Sequence, residues 1–158
     1  AVIGTIVACQ EENWSLRILE KGLLVIDSNG VIVYRGEAQN LNEMQDKFSV
    51  TKVIELENKN EFLLPGFIDS HVHASQYPNN GLGLDLPLLE WLQKYTFPLE
   101  SRYGKDLQFA QKAYEAAVTS YLNHGTTSAS YYASIDSDAS LILAQVAEEK
   151  GNLANPFH

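Results

Sequence analysis

Over the first 64 residues the apolar positions fall in short runs separated by polar turns, the pattern of a β-rich segment. Residues 1–9 form an apolar run rich in Val and Ile, which predicts a strand; a clipped targeting segment is the lesser alternative, since no basic stretch precedes the run and it is too short to span a bilayer. The chain does not begin with Met, which leaves its true start open. Between Gly22 and Gly36, the runs Leu23-Leu24-Val25-Ile26 and Val31-Ile32-Val33-Tyr34 flank Asp27-Ser28-Asn29-Gly30. An Asn-Gly pair tolerates the positive φ that a tight turn needs, so this is a predicted hairpin. Leu41, Met44 and Phe48 recur at helical spacing, and residues 52–56 and 62–64 read as two further strands.

The pattern changes after Pro65-Gly66. A short strand over 67–73 leads into a Gly- and Asn-rich stretch, 78–83, expected to be a loop. Helices are expected over 86–95 and 107–123, the second with Leu107, Ala110, Tyr114, Ala117, Val118 and Tyr121 on one face and Gly125 beyond its end. A strand over 126–133 and a helix over 137–151 follow. This alternation implies parallel βα units over 65–158, with 1–64 as a separate β-rich segment. Two such units cannot close a barrel: an eight-stranded (β/α) barrel needs about 200 residues or more, and in that fold the chain would stop after the first quarter.

Composition narrows the possible ligands. With 158 residues and 45% hydrophobic content, the chain has material for one ordinary domain, or for a small domain and part of a larger one. Twenty acidic against eleven basic residues give a net charge of -9, so a nucleic acid would be repelled and a small or neutral ligand suits better. The lone Cys9 excludes an internal disulfide and a cysteine-rich zinc module. The compact zinc deaminases carry His-x-Glu with Pro-Cys-x-x-Cys, and neither motif is present.

The candidate chemistry lies in Leu64-Pro65-Gly66-Phe67-Ile68-Asp69-Ser70-His71-Val72-His73-Ala74-Ser75-Gln76. Residues two apart on a strand share a face, so His71 and His73 can converge on one metal ion, for which neutral imidazole is a good ligand. Asp69 has the same parity and could orient a ligand through a hydrogen bond behind it. A bare His-x-His is commonly coincidence, but here the pair ends an apolar strand and precedes a loop, where α/β folds place ligands. His124 reads as a structural residue at a helix end. Trp91 reads as core, Glu90 as solvated, and Asp136 and Asp138 as helix caps.

The run from Pro65 to His73 resembles the first-strand signature of the amidohydrolase superfamily. Its continuation, His73-Ala74-Ser75-Gln76-Tyr77, Asp85-Leu86-Pro87-Leu88-Leu89-Glu90-Trp91-Leu92, Lys94-Tyr95-Thr96-Phe97-Pro98, Gly125-Thr126-Thr127 and Ser140-Leu141-Ile142-Leu143-Ala144, is similar to guanine deaminases. The likeness runs from about Gly22 to Gly151. The resemblance implies an α/β fold, the start of a (β/α)8 hydrolase barrel preceded by part of a small β-sandwich. It also implies deamination of guanine to xanthine and ammonia on one zinc ion, in a cytoplasmic homodimer acting in purine catabolism, with no nucleic-acid or membrane partner. His71 and His73 would be zinc ligands, and His73, Ala74, Ser75 and Gln76 would line the purine, with Gln76 hydrogen-bonding the base.

In such enzymes the remaining ligands and proton-moving groups come from later strands. Of the other histidines, His124 and His158 stand outside any matching context, and residues 152–158 depart from the family where a third barrel strand is expected, so they read as truncated or mis-joined. The short chain alone is therefore expected to be inactive and to expose barrel edges. Alternatives are a catalytically dead product that associates with a full-length partner, and an amidohydrolase for another heterocycle.

Overall fold

The computed structural model describes residues 1–9, 15–56 and 60–157, so His158 lies outside the described residues. The chain divides into two compact units, Ala1–Pro65 and Gly66–His158.

In the first unit β1 (Val2–Cys9) pairs antiparallel with β2 (Leu16–Ile26), which pairs antiparallel with β3 (Ile32–Glu37). The expected hairpin is the β2–β3 connection. Asp27 Oδ1 accepts from the backbone N–H groups of Asn29 and Val31, both at 2.9 Å, and Gly30 takes φ +82°. That positive φ is cheap for glycine and strained for other residues. The opening apolar run forms a strand, as expected. The strands expected at 52–56 and 62–64 shrink to β4 (Ile54–Glu55) and β5 (Phe62–Leu63). The reason is that they share one edge of β1: Val2 and Ile3 pair with β4, Thr5 and Ile6 with β5, all in parallel. Leu23 and Val25 of β2 and Met44 of α1 (Leu41–Phe48) form a small buried core, the term that drives such a sheet and helix together.

The second unit is built on three parallel strands in the order β6-β7-β8: β6 (Phe67–His73), β7 (Thr126–Tyr132) and β8 (Leu153–Phe157). Helices α4 (Leu107–Asn123) and α5 (Ser137–Glu149) lie between successive strands in sequence. Val72, Ala129 and Tyr131 from the strands pack in one core with Ala110, Ala113, Tyr114 and Val118 of α4 and Leu143 and Val146 of α5. Asp106 and Asp136 cap the two helices, accepting from the N–H groups of Phe109 and Ala139, which satisfies backbone donors that a helix start leaves free. Leu107, expected on the buried face, is 42% exposed at the first turn, and Ala113 joins the core instead. Gly66 enters β6 against β7, where a Cβ would collide with the Thr127 side chain.

Three further departures have physical causes. The helix expected over 86–95 is the start of a longer helical run: α2 (Leu88–Trp91), a π-helical turn Leu92–Thr96, and α3 (Phe97–Tyr103). Pro98 has no N–H to continue an α ladder, and the wider turn just before it carries the chain past that gap. The stretch expected as a loop begins as a 3-10 helix, Ala74–Asn79, before turns carry the chain onward. The terminal residues 152–157, which read as a departure from a barrel pattern, supply its third strand: Ser128 pairs with Leu153 and Tyr132 with Phe157, in parallel. Asn155-Pro156 looks like a break in the sequence, but among the described strands β8 is an edge, where proline is tolerated.

Candidate active site

The C-terminal end of β6 brings His71 and His73 together: their Nε2 atoms lie 3.0 Å apart. Both rings are exposed, while Val72 between them is buried. Tyr132, opposite His73 in the parallel register, lies against both imidazoles, with ring centroids 4.3 Å from His71 and 5.0 Å from His73. Two nitrogens 3.0 Å apart can share one cation at the usual Zn–N distance of about 2.0–2.1 Å. The donor pair therefore fits a zinc ion in part. Among the described residues, no group of three or more His, Cys, Asp or Glu is placed to hold a metal.

Asp69 hydrogen-bonds the strand end that carries the pair. The pairing of β6 with β7 shifts between Asp69 and Val72. The Asp69 carboxylate accepts from the backbone N–H of His71 at 3.0 Å.

A cavity of about 380 Å³ opens beside the pair, lined by His73 and Gln76, with Tyr77, Asn79, Trp91 and Tyr121 among its walls. Of the four residues expected to face a purine, His73 and Gln76 line this cavity. Ala74 and Ser75 are fully buried, turned inward by the 3-10 helix that starts at Ala74. Trp91, expected in the core, is half-buried at the cavity wall, and its indole N–H donates to the Leu82 carbonyl at 2.7 Å. Asn79 is 5% exposed; its amide nitrogen donates to Thr96 Oγ1, while its Oδ1 is buried without a hydrogen-bond partner. Burial, with smaller contributions from Asp69 and Tyr77, pushes the Tyr121 hydroxyl up to about 12, so this wall stays neutral.

Sequence reasoning missed two residues. Tyr132 could have been found by setting β7 beside β6 in parallel register. Glu100 of α3 could not: its Oε1 accepts from Ser75 Oγ at 3.1 Å and from Gln76 Nε2 at 3.0 Å, a contact made across 24 positions. His124 ends α4, with Nδ1 2.7 Å from the Ser120 carbonyl, and Glu90 is exposed, as expected for both.

Comparison with known proteins agrees with this arrangement. The family model described as Amidohydrolase family matches residues 62–156. Guanine deaminase of Dictyostelium discoideum is 41% identical over 162 residues, covering 96% of this chain and 35% of that protein. Human guanine deaminase is 40% identical over 141 residues, covering 88% of this chain and 31% of that protein. Among solved structures, guanine deaminase from C. acetobutylicum with guanine bound in its active site superposes with a TM-score of 0.79 at 27% identity, over 98% of this chain and 35% of that one. The chain thus spans about a third of the length of the curated relatives it matches. With an amidohydrolase match over most of its length, and with paired histidines at the end of the first of three parallel strands, the chain belongs to the amidohydrolase family.

Proposed function

We propose that the complete protein deaminates guanine, guanine and water giving xanthine and ammonia, and that β6, β7 and β8 are the first three strands of its eight-stranded barrel. The observation that carries this reading is the position of His73, which belongs both to the imidazole pair and to the cavity that Gln76 lines. Relatives at about 40% identity named as guanine deaminases support the substrate.

In this reading His71 and His73 hold one zinc ion through their facing Nε2 atoms, with further ligands from outside the described residues. When bound, a zinc ion held there would supply Lewis-acid activation of water as the nucleophile for the carbon bearing the amino group. Gln76 hydrogen-bonds the base, a task suited to a carboxamide that both donates and accepts. The rings of Tyr77, Trp91 and Tyr121 give the purine apolar walls and exclude water. Asp69 fixes the end of β6 through the His71 backbone, while Ala74 and Ser75 lie buried in the 3-10 helix between His73 and Gln76. Because the described residues supply two metal ligands, this chain alone is expected to be inactive. The five-stranded sheet of the first unit is proposed as one layer of a small β-sandwich, and the complete protein as a cytoplasmic homodimer. Among the described residues no helix is long and apolar enough to cross a membrane.

The test is xanthine formation by the complete, zinc-loaded protein. Loss of a partner behind a metal ligand commonly lowers activity 10–100-fold, so His71→Ala or His73→Ala should lower it by more than ~100-fold. Normal turnover by either variant, or preferential turnover of a different heterocycle by the unmodified protein, would contradict the reading.

A further inference from the structure

We propose that Glu100 is a positioning residue that fixes the orientation of the Gln76 side-chain amide, so that Gln76 presents its carbonyl oxygen to an N–H group of the bound base. The inference rests on the reading that Gln76 contacts the purine.

A carboxamide has two ends of nearly equal shape and opposite hydrogen-bonding sense, and a half-turn about its last bond exchanges them. A residue that reads a base by hydrogen bonding therefore needs something to choose between the two orientations. Glu100 makes that choice. An ionised carboxylate only accepts, and Glu100 Oε1 lies 3.0 Å from Gln76 Nε2. The reversed amide would set two acceptor oxygens against each other and lose a charge-assisted bond, which is about twice as strong as a neutral one.

The carboxylate is itself held. Ser75 Oγ donates to the same oxygen at 3.1 Å, and Ser75 is fully buried, so the anchor does not swing with solvent. Glu100 is on α3, whose next residues carry the buried Tyr103 into the core, and Gln76 lies in the 3-10 helix that follows β6. The amide is thus fixed from two elements that the core already holds in place. With its nitrogen donating to the Glu100 carboxylate, the acceptor that Gln76 keeps for a ligand in the cavity is its Oε1. Glu100 reaches the ligand only through Gln76, so its removal should weaken binding while leaving the reacting centre intact.

Two measurements on the complete zinc-loaded protein test this, with zinc content checked to equal that of the unmodified protein in every variant. In the first, Glu100→Ala should raise KM for guanine roughly tenfold while kcat stays within about threefold. Glu100→Gln should restore most of the loss, since its amide oxygen can still accept, and Glu100→Ala added to Gln76→Ala should have no further effect. In the second, the Gln76 side-chain amide resonances, assigned by their loss in Gln76→Ala, should shift and exchange faster in Glu100→Ala. An unchanged KM in Glu100→Ala, a full effect persisting in the Gln76→Ala background, or an unmoved amide resonance would each overturn the proposal. If the unmodified protein does not turn over guanine, the functional reading is what fails. The amide spectrum still decides the anchor, a shift supporting it and no shift overturning it.

Discussion

Replacing Asn152 by Ala should loosen the junction that carries the chain from α5 into β8. Asn152 is 3% exposed, and its side chain bridges two elements: Oδ1 accepts from the buried Tyr131 hydroxyl at 2.9 Å, and Nδ2 donates to the Thr126 carbonyl at 3.0 Å. Its backbone N–H bonds the Ala147 carbonyl at 2.9 Å, a contact that Ala would keep. The cost therefore comes from the side chain. Stranding a buried hydroxyl costs about 1–3 kcal/mol, and the bond to half-buried Thr126, where water can substitute, about 1 kcal/mol. The sum is a destabilisation of about 2–4 kcal/mol. Urea unfolding monitored by circular dichroism, with Asn152→Ala, Tyr131→Phe and the double variant compared, would measure it. The double variant should be less destabilised than the sum of the singles by about 1 kcal/mol, because both singles break the same bond. A change within about 0.5 kcal/mol for Asn152→Ala, or strict additivity, would refute the clamp.

Alkaline unfolding should set in above the ordinary tyrosine range. Burial raises the hydroxyls of Tyr103 and Tyr131 strongly, and pushes those of Tyr114 and Tyr121 up to about 12. Since the folded values lie above the unfolded one, this stability is fully present below about pH 10 and declines as pH rises through the folded values. A stability profile between pH 8 and 12 checks it, and a flat profile above pH 10 would contradict it. Gly66→Ala should destabilise by about 1–3 kcal/mol, because its Cβ has to displace the Thr127 side chain where β6 meets β7; a neutral effect on the denaturation midpoint would count against that close approach.

What the sequence revealed was local. The β2–β3 hairpin, α1, α4, the Asp136 cap of α5, and β6 with its histidine pair each follow from spacing and turn chemistry within a few residues. What it concealed depended on neighbours in space. Counting by twos could not show the register shift against β7 that falls between Asp69 and Val72. β8 was set aside because residues 152–158 depart from the family pattern, and its pairing with β7 becomes visible only when the strands lie side by side. Trp91 looked like core from its helical spacing, yet the cavity wall is where the turns after Asn79 place it. Glu100 carries no local motif, and its role appears only when α3 and the 3-10 helix are brought side by side.

His71 and His73 are proposed to hold one metal ion between their facing Nε2 atoms. Zinc content of the complete protein after exhaustive dialysis, compared with His71→Ala and His73→Ala, tests it most directly. One zinc per chain is expected in the unmodified protein, with a loss of at least ~10-fold in zinc affinity in each variant; full retention of zinc by either variant would contradict a shared site.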